Sequence, residues 1–184
     1  MNTRAPIFLK RWATASLAIA AAVVTTASLA SAAPHARSAA SSPCSASDTQ
    51  VWLGDGEGGG TAGTTYYPLE FSNIGHRVCT LYGYPGVSAY REGLKQVGSG
   101  ADRSTSAHSL ITLRPNATGH ALLGMRDWGA LCSKPVVVDG LKVYPPSQRS
   151  PKEIGFAFDA CAHTGVLVVG PMRAGVGIPG YTGP

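Results

Sequence analysis

The 184-residue chain carries 15 Lys and Arg against 10 Asp and Glu, a formal charge of +5. Residues 1–32 hold three of the basic residues (Arg4, Lys10, Arg11) and no acidic one, leaving 12 against 10, or +2, for the rest. Those remaining cations stand singly with no interleaved aromatic platform, which argues against nucleic-acid binding.

The first element in chain order is an export signal. A basic start is followed by an Ala/Leu/Val stretch from Trp12 to Leu29 and by Ala30-Ser31-Ala32, the small-x-small end that signal peptidase accepts. An uncleaved anchor is the competing reading, since the apolar stretch approaches spanning length. Its weak Ala/Thr hydrophobicity and the placed cleavage site favour a signal peptide over 1–32. Cys44 follows Ser-Ser-Pro and not a lipobox, so no lipid anchor is indicated. The expected product is secreted, extracellular or cell-wall associated, with no membrane span after processing.

Residues 33–43, rich in Ala, Ser and Pro, read as a flexible leader. Residues 44–172 read as one domain, and 173–184 as a loose Gly-rich tail with little to bury. All four cysteines, Cys44, Cys79, Cys132 and Cys161, lie in the domain. An even count in an exported chain reads as two disulfides, for which three pairings exist. Cys44 with Cys79 and Cys132 with Cys161 is favoured, because each bond then closes a modest loop of about 30 residues. Zinc would require close pairs such as C-x-x-C, and none is present.

Within the domain, short apolar runs alternate with Gly, Pro, Asn and Asp. The runs are Val51–Leu53, Leu69–Ser72, Cys79–Leu81, Val87–Tyr90, Ser109–Leu113, His120–Met125, Val136–Val138, Leu141–Tyr144, Ile154–Phe158 and Val166–Val169. Pro68 cannot donate to a ladder, so the second run is expected to start at or after it, or to lie on an edge. Asp139-Gly140 is the strongest hairpin signal, and Pro85-Gly86 fits a type II turn with positive φ at Gly86. No segment beyond the signal shows a sustained helical period, so the fold is all-β, two packed sheets stapled by disulfides. Period-two alternation places Leu69, Phe71, Leu81, Ile111, Leu113, Leu123, Phe156 and Val168 in the core, with Glu70, Arg114 and Arg126 facing solvent.

Chemistry-bearing motifs are scarce. Gly54, Gly56 and Gly59 form a G-x-G-x-x-G string, as do Gly175, Gly177 and Gly180, but no helix follows either, as a dinucleotide site requires. Asn116-Ala117-Thr118 reads as a turn. Asp159, Cys161 and His163 share a strand face, yet a catalytic Cys161 would need a free thiolate, and a disulfide is the stronger use of it. The five histidines form no H-x-x-x-H pair, and the acidic residues suggest no glycosidase pair. No catalytic, cofactor-binding or metal-binding residue is nominated, and the chain reads as a non-enzyme.

Tyr82-Gly83-Tyr84-Pro85-Gly86 follows a strand pinned by Cys79, and Tyr90 lies farther along the next strand. Tyrosines on a rigid base are efficient binding anchors, so Tyr82, Tyr84 and Tyr90 are the candidate partner-binding residues. The alternative use of these rings is to cover the edge of the fold.

The string Cys79-Thr80-Leu81-Tyr82-Gly83-Tyr84-Pro85-Gly86-Val87-Ser88, preceded by Leu69-Glu70-Phe71-Ser72-Asn73 and Gly75, resembles the actinobacterial secreted domain of unknown function 4232. Leu113-Arg114-Pro115, Cys132, Gly140 to Pro146 and Cys161 are similar to the same pattern. The resemblance spans about residues 44–172. It implies an immunoglobulin-like β-sandwich with two disulfides in exported or membrane-attached proteins of high-GC Gram-positive bacteria, and it supplies no activity. The function expected is a non-enzymatic binding or interaction module for an extracellular protein or cell-wall component. The alternatives are a cell-wall glycan-binding domain, with Trp52 and Trp128 as stacking rings, and a secreted protease inhibitor.

Overall fold

A computed structural model of the chain describes residues 41–55 and 63–181. The signal peptide, the leader up to residue 40 and the last three residues of the tail lie outside the described residues.

The described residues form twelve strands and one 3-10 turn, in order: β1 (Thr49–Leu53), β2 (Thr64–Asn73), β3 (Cys79–Tyr82), β4 (Gly86–Arg91), β5 (Lys95–Val97), β6 (Asp102–Arg103), β7 (Leu110–Leu113), β8 (Thr118–Arg126), the turn Trp128–Ala130, β9 (Pro135–Tyr144), β10 (Lys152–Cys161), β11 (Leu167–Val169) and β12 (Arg173–Ala174). The larger sheet has the order β1-β2-β8-β11-β6, with β12 also paired to β8. A second sheet has the order β10-β9-β4-β5, and β3 with β7 forms a two-stranded third. The fold is all-β with two disulfides, Cys44–Cys79 and Cys132–Cys161, the pairing that loop length favours.

The three sheets share one hydrophobic core. Leu69, Phe71, Ala121, Leu123, Leu167 and Val169 enter it from the larger sheet, Val87, Ala89, Val138, Leu141 and Val143 from the second, and Leu81, Ile111 and Leu113 from the third. Alternation along β2 is the reason: Tyr67, Leu69 and Phe71 project to one side, opposite Leu123, Ala121 and Gly119 of β8. Leu69 and Phe71 thus face the small Ala121 and Gly119, which fills the layer without overpacking.

Several local expectations are corrected by the pairing. Pro68 lies inside β2, which has β1 on one side and β8 on the other. Its carbonyl accepts from Gly54 N at 2.8 Å, so its missing N–H falls on the β1 side, opposite Gly54 just past the end of β1, and the ladder to β8 is untouched. Asp139-Gly140 makes no turn: β9 runs through it. Gly140 serves close approach instead, since a Cβ there would strike the Ile154 carbonyl and come within 2.9 Å of the Tyr90 hydroxyl. The positive φ near Pro85 belongs to Gly83 (φ 87°), not Gly86, which already starts β4.

The core list is also amended. Six of its eight members are buried, but Phe156 and Val168 are half-buried. Phe156 lies in the irregular stretch of edge strand β10 and meets Tyr67 edge-on at 5.4 Å. In β11 the buried residues are Leu167 and Val169; three successive apolar residues carry no phase from which the inward face can be read. Arg114 is exposed, whereas Arg126 is partly covered and paired to Asp102 at 2.8 Å. Glu70, placed in solvent by alternation, is 1 % exposed.

The cause of that burial is the C-terminal segment, which is not loose through Tyr181. β12 pairs with β8, Met172 and Gly177 are buried, and Gly177 N donates to Glu70 Oε1 at 2.8 Å. Glu70 does face away from the core, as alternation requires, but the returning chain covers it. The end of the leader is held as well: Thr80 N donates to Ser42 O at 3.0 Å and Cys44 N to Thr80 O at 2.9 Å.

Candidate functional site

The Tyr82 region is built on the two-stranded sheet. Cys79 and Leu81 of β3 point into the core, so Tyr82 points out and is 56 % exposed. Its partner across the ladder is Leu110 of β7, 60 % exposed. An aromatic ring and an aliphatic side chain therefore stand side by side in solvent. His108 lies against the edge of both tyrosines, 4.9 Å from the Tyr82 ring and 5.4 Å from that of Tyr84. The Cys44–Cys79 bond fixes the base of β3.

Tyr84 has a different role. It is half-buried, and its hydroxyl is shared between the carbonyls of Ser104 and Ser106 at 3.0 and 2.6 Å. Arg103 places its guanidinium 5.6 Å from the Tyr84 ring centroid, within cation–π range. Tyr84 thus ties the loop after β6 to the turn before β4 and supports His108 from behind. Tyr90 does not join this group: it stands on β4 in the second sheet, directly across from Gly140. His108, Leu110 and Arg103 carried no signal in the sequence, because only strand pairing brings them to Tyr82.

A second cluster crosses the outer face of the larger sheet. Trp52 pairs with Glu70, and Glu70 with His120, so the three side chains form a row on one face of β1, β2 and β8. His120 Nδ1 lies 2.7 Å from Gly175 O, and since a carbonyl only accepts, that nitrogen carries the proton. Burial pushes the Glu70 carboxyl above its ordinary range, while the Gly177 N–H and the nearby His120 pull it back down. Glu70 Oε2 is buried without a hydrogen-bond partner.

Elsewhere, Cys161 is bonded to Cys132, so Asp159, Cys161 and His163 hold no thiolate nucleophile. Trp52 and Trp128 are both half-buried and stand on separate elements, β1 and the 3-10 turn. Among the described residues, no group of three or more His, Cys, Asp or Glu is arranged to hold a metal ion. No helix among them is long and apolar enough to cross a membrane.

Residues 44–173 match the family model described as Domain of unknown function (DUF4232). The chain belongs to the DUF4232 family. No curated protein matches the chain, and no solved structure does. Both clusters fall inside the DUF4232 span, Tyr82, His108 and Leu110 in one and Trp52, Glu70 and His120 in the other. The covering residues Ala174 to Tyr181 follow it.

Proposed function

We propose that this DUF4232 domain is an exported, non-enzymatic interaction module that engages an extracellular protein or cell-wall component through the Tyr82 surface. The observation that carries the reading is the exposed cross-strand pair Tyr82–Leu110, backed by His108 on a disulfide-pinned sheet. Rigid aromatic groups offer large contact area with little entropy to lose on binding. Export is supported by the signal pattern of residues 1–32 and by two disulfides, which persist in oxidising compartments. The immunoglobulin-like reading of the sandwich is supported by the sheets sharing one core.

The test is capture. The purified mature chain, immobilised beside its Tyr82→Ser and Leu110→Ser variants, is exposed to secreted protein, envelope protein and purified wall glycan. A component held by the parent and lost from both variants, with melting temperatures unchanged, is the expected result. Retention that survives both substitutions, or no retention at micromolar concentration, rejects the reading.

A further inference from the structure

We propose that the hollow between Trp52 and the returning segment Val176 to Pro179 is a binding site for an alkylammonium group, of the kind a lysine side chain carries. Glu70 Oε2 is the atom that receives its charge.

The hollow is a cavity of about 400 Å³ on the outer face of the larger sheet. Trp52, Val176, Ile178 and Pro179 give it an apolar lining, and Glu70 and Asp55 add two carboxylates. None of its lining residues is basic. The C-terminal segment stays in place as part of the wall, held by Gly177 N–H on Glu70 Oε1 at 2.8 Å and by His120 Nδ1 on the Gly175 carbonyl at 2.7 Å. The chain turns at Gly175 (φ 83°) and again at Ile178 (φ 73°), and the stretch between these turns borders the hollow. Gly54 keeps room beside the carboxylate, since a Cβ there would lie 3.1 Å from Glu70 Cγ and 3.3 Å from its Oε1.

The ligand chemistry follows from one atom. Glu70 is 1 % exposed; Gly177 answers Oε1, while Oε2 is buried with no hydrogen-bond partner among the described residues. His120, across from Glu70 on β8, gives its Nδ1 proton to Gly175 and leaves Oε2 unanswered. A carboxylate oxygen accepts, so the complementary group is a donor. A cationic donor serves best, because its charge offsets the burial of the carboxylate and strengthens the hydrogen bond. Trp52, directly across from Glu70 on β1, puts an indole ring in the same lining, and an ammonium over such a ring gains further attraction. The aliphatic residues suit the methylene stem behind the charge. An anion is repelled by both carboxylates, and an apolar ligand leaves Oε2 without a donor. This site lies apart from the Tyr82 surface, so either can fail alone.

The experiment titrates the isotope-labelled mature chain at neutral pH with N-acetyl-lysine methylamide, and with its Nε-acetylated analogue as the neutral control. Saturable shifts of the Trp52 indole N–H and of the Gly177 and Ile178 amides are expected with the lysine probe. The neutral analogue should bind at least about tenfold more weakly. Glu70→Gln keeps an oxygen for Gly177 and loses the charge, and should weaken the lysine probe by at least about tenfold as well. No saturable shift at millimolar probe, equal affinity for both probes, or undiminished affinity in folded Glu70→Gln overturns the proposal. Should that variant fail to fold, the carboxyl carbon signal of Glu70 in the parent chain decides. Its movement with the lysine probe and not with the analogue supports the site, and a signal that neither probe moves, or that both move alike, overturns it.

Discussion

The carboxylate of Glu70 accepts a hydrogen bond from the backbone N–H of Gly177, 107 residues farther along the chain. Burial beneath that contact raises the pKa of Glu70 above its ordinary value of 4.5. Below about pH 4.5 the folded and unfolded chains both carry the proton; above it the unfolded chain releases the proton first. The folded state then holds more protons, so stability declines as pH rises through this window and stays lower beyond the raised pKa. Glu70→Gln keeps an oxygen for Gly177 and cannot titrate. Its melting temperature relative to the parent is therefore expected to rise between pH 4 and pH 7, and parallel curves for the two proteins would refute the assignment.

The two tyrosines of the candidate surface are expected to separate in stability. Tyr84→Ser removes a hydroxyl bonded to two carbonyls and a ring that supports His108, and should cost about 1–3 kcal/mol. Tyr82→Ser removes a largely exposed ring whose aromatic contact is His108, and should change stability by less than about 0.5 kcal/mol. Urea denaturation of both variants checks this, and equal losses would mean that Tyr82 also belongs to the fold.

Packing gives a third prediction. Phe71 has no exposed surface, and its replacement by Ala should cost about 3–5 kcal/mol through the cavity left behind. Within β11 the order is set by phase: Val169→Ala should destabilise more than Val168→Ala, because Val169 enters the core and Val168 faces the other way. The reverse order in thermal unfolding would place β11 one residue out of register.

The disulfides give a fourth. Peptide mapping without reductant is expected to recover Cys44 joined to Cys79 and Cys132 joined to Cys161, with no free thiol. Replacing Cys132 and Cys161 together by Ser should cost about 2–5 kcal/mol and reduce the yield of folded protein. A mixed pairing in the map would contradict the fold.

Much of the architecture was legible in the residues. Alternation over Leu69, Glu70 and Phe71 fixed the phase of β2, and short Gly- and Pro-bounded runs marked most strands. What failed were rules about single residues. Pro68 and Gly140 are breakers by composition, but one places its missing donor past the end of a neighbouring strand and the other clears room for Tyr90. Alternation was right that Glu70 leaves the core and silent about what returns to cover it. The binding candidates divided for the same reason: Tyr82 was readable from its own strand, whereas His108 and Leu110 meet it only through the β3–β7 pairing.

The attachment of residues 42–44 to β3 has a mechanical consequence. Pro43 runs parallel to Thr80, flanked by the two backbone hydrogen bonds and followed by the Cys44–Cys79 bond. Tension drawn through the preceding chain meets those bonds side by side, in shear, and a covalent link then carries it into β3. β1 is spared, because the load leaves the chain at Cys44 before reaching Thr49. Tyr82 sits at the far end of the strand that takes the load, so a pull from the N-terminal side leaves the aromatic tip at the end opposite the point of pull.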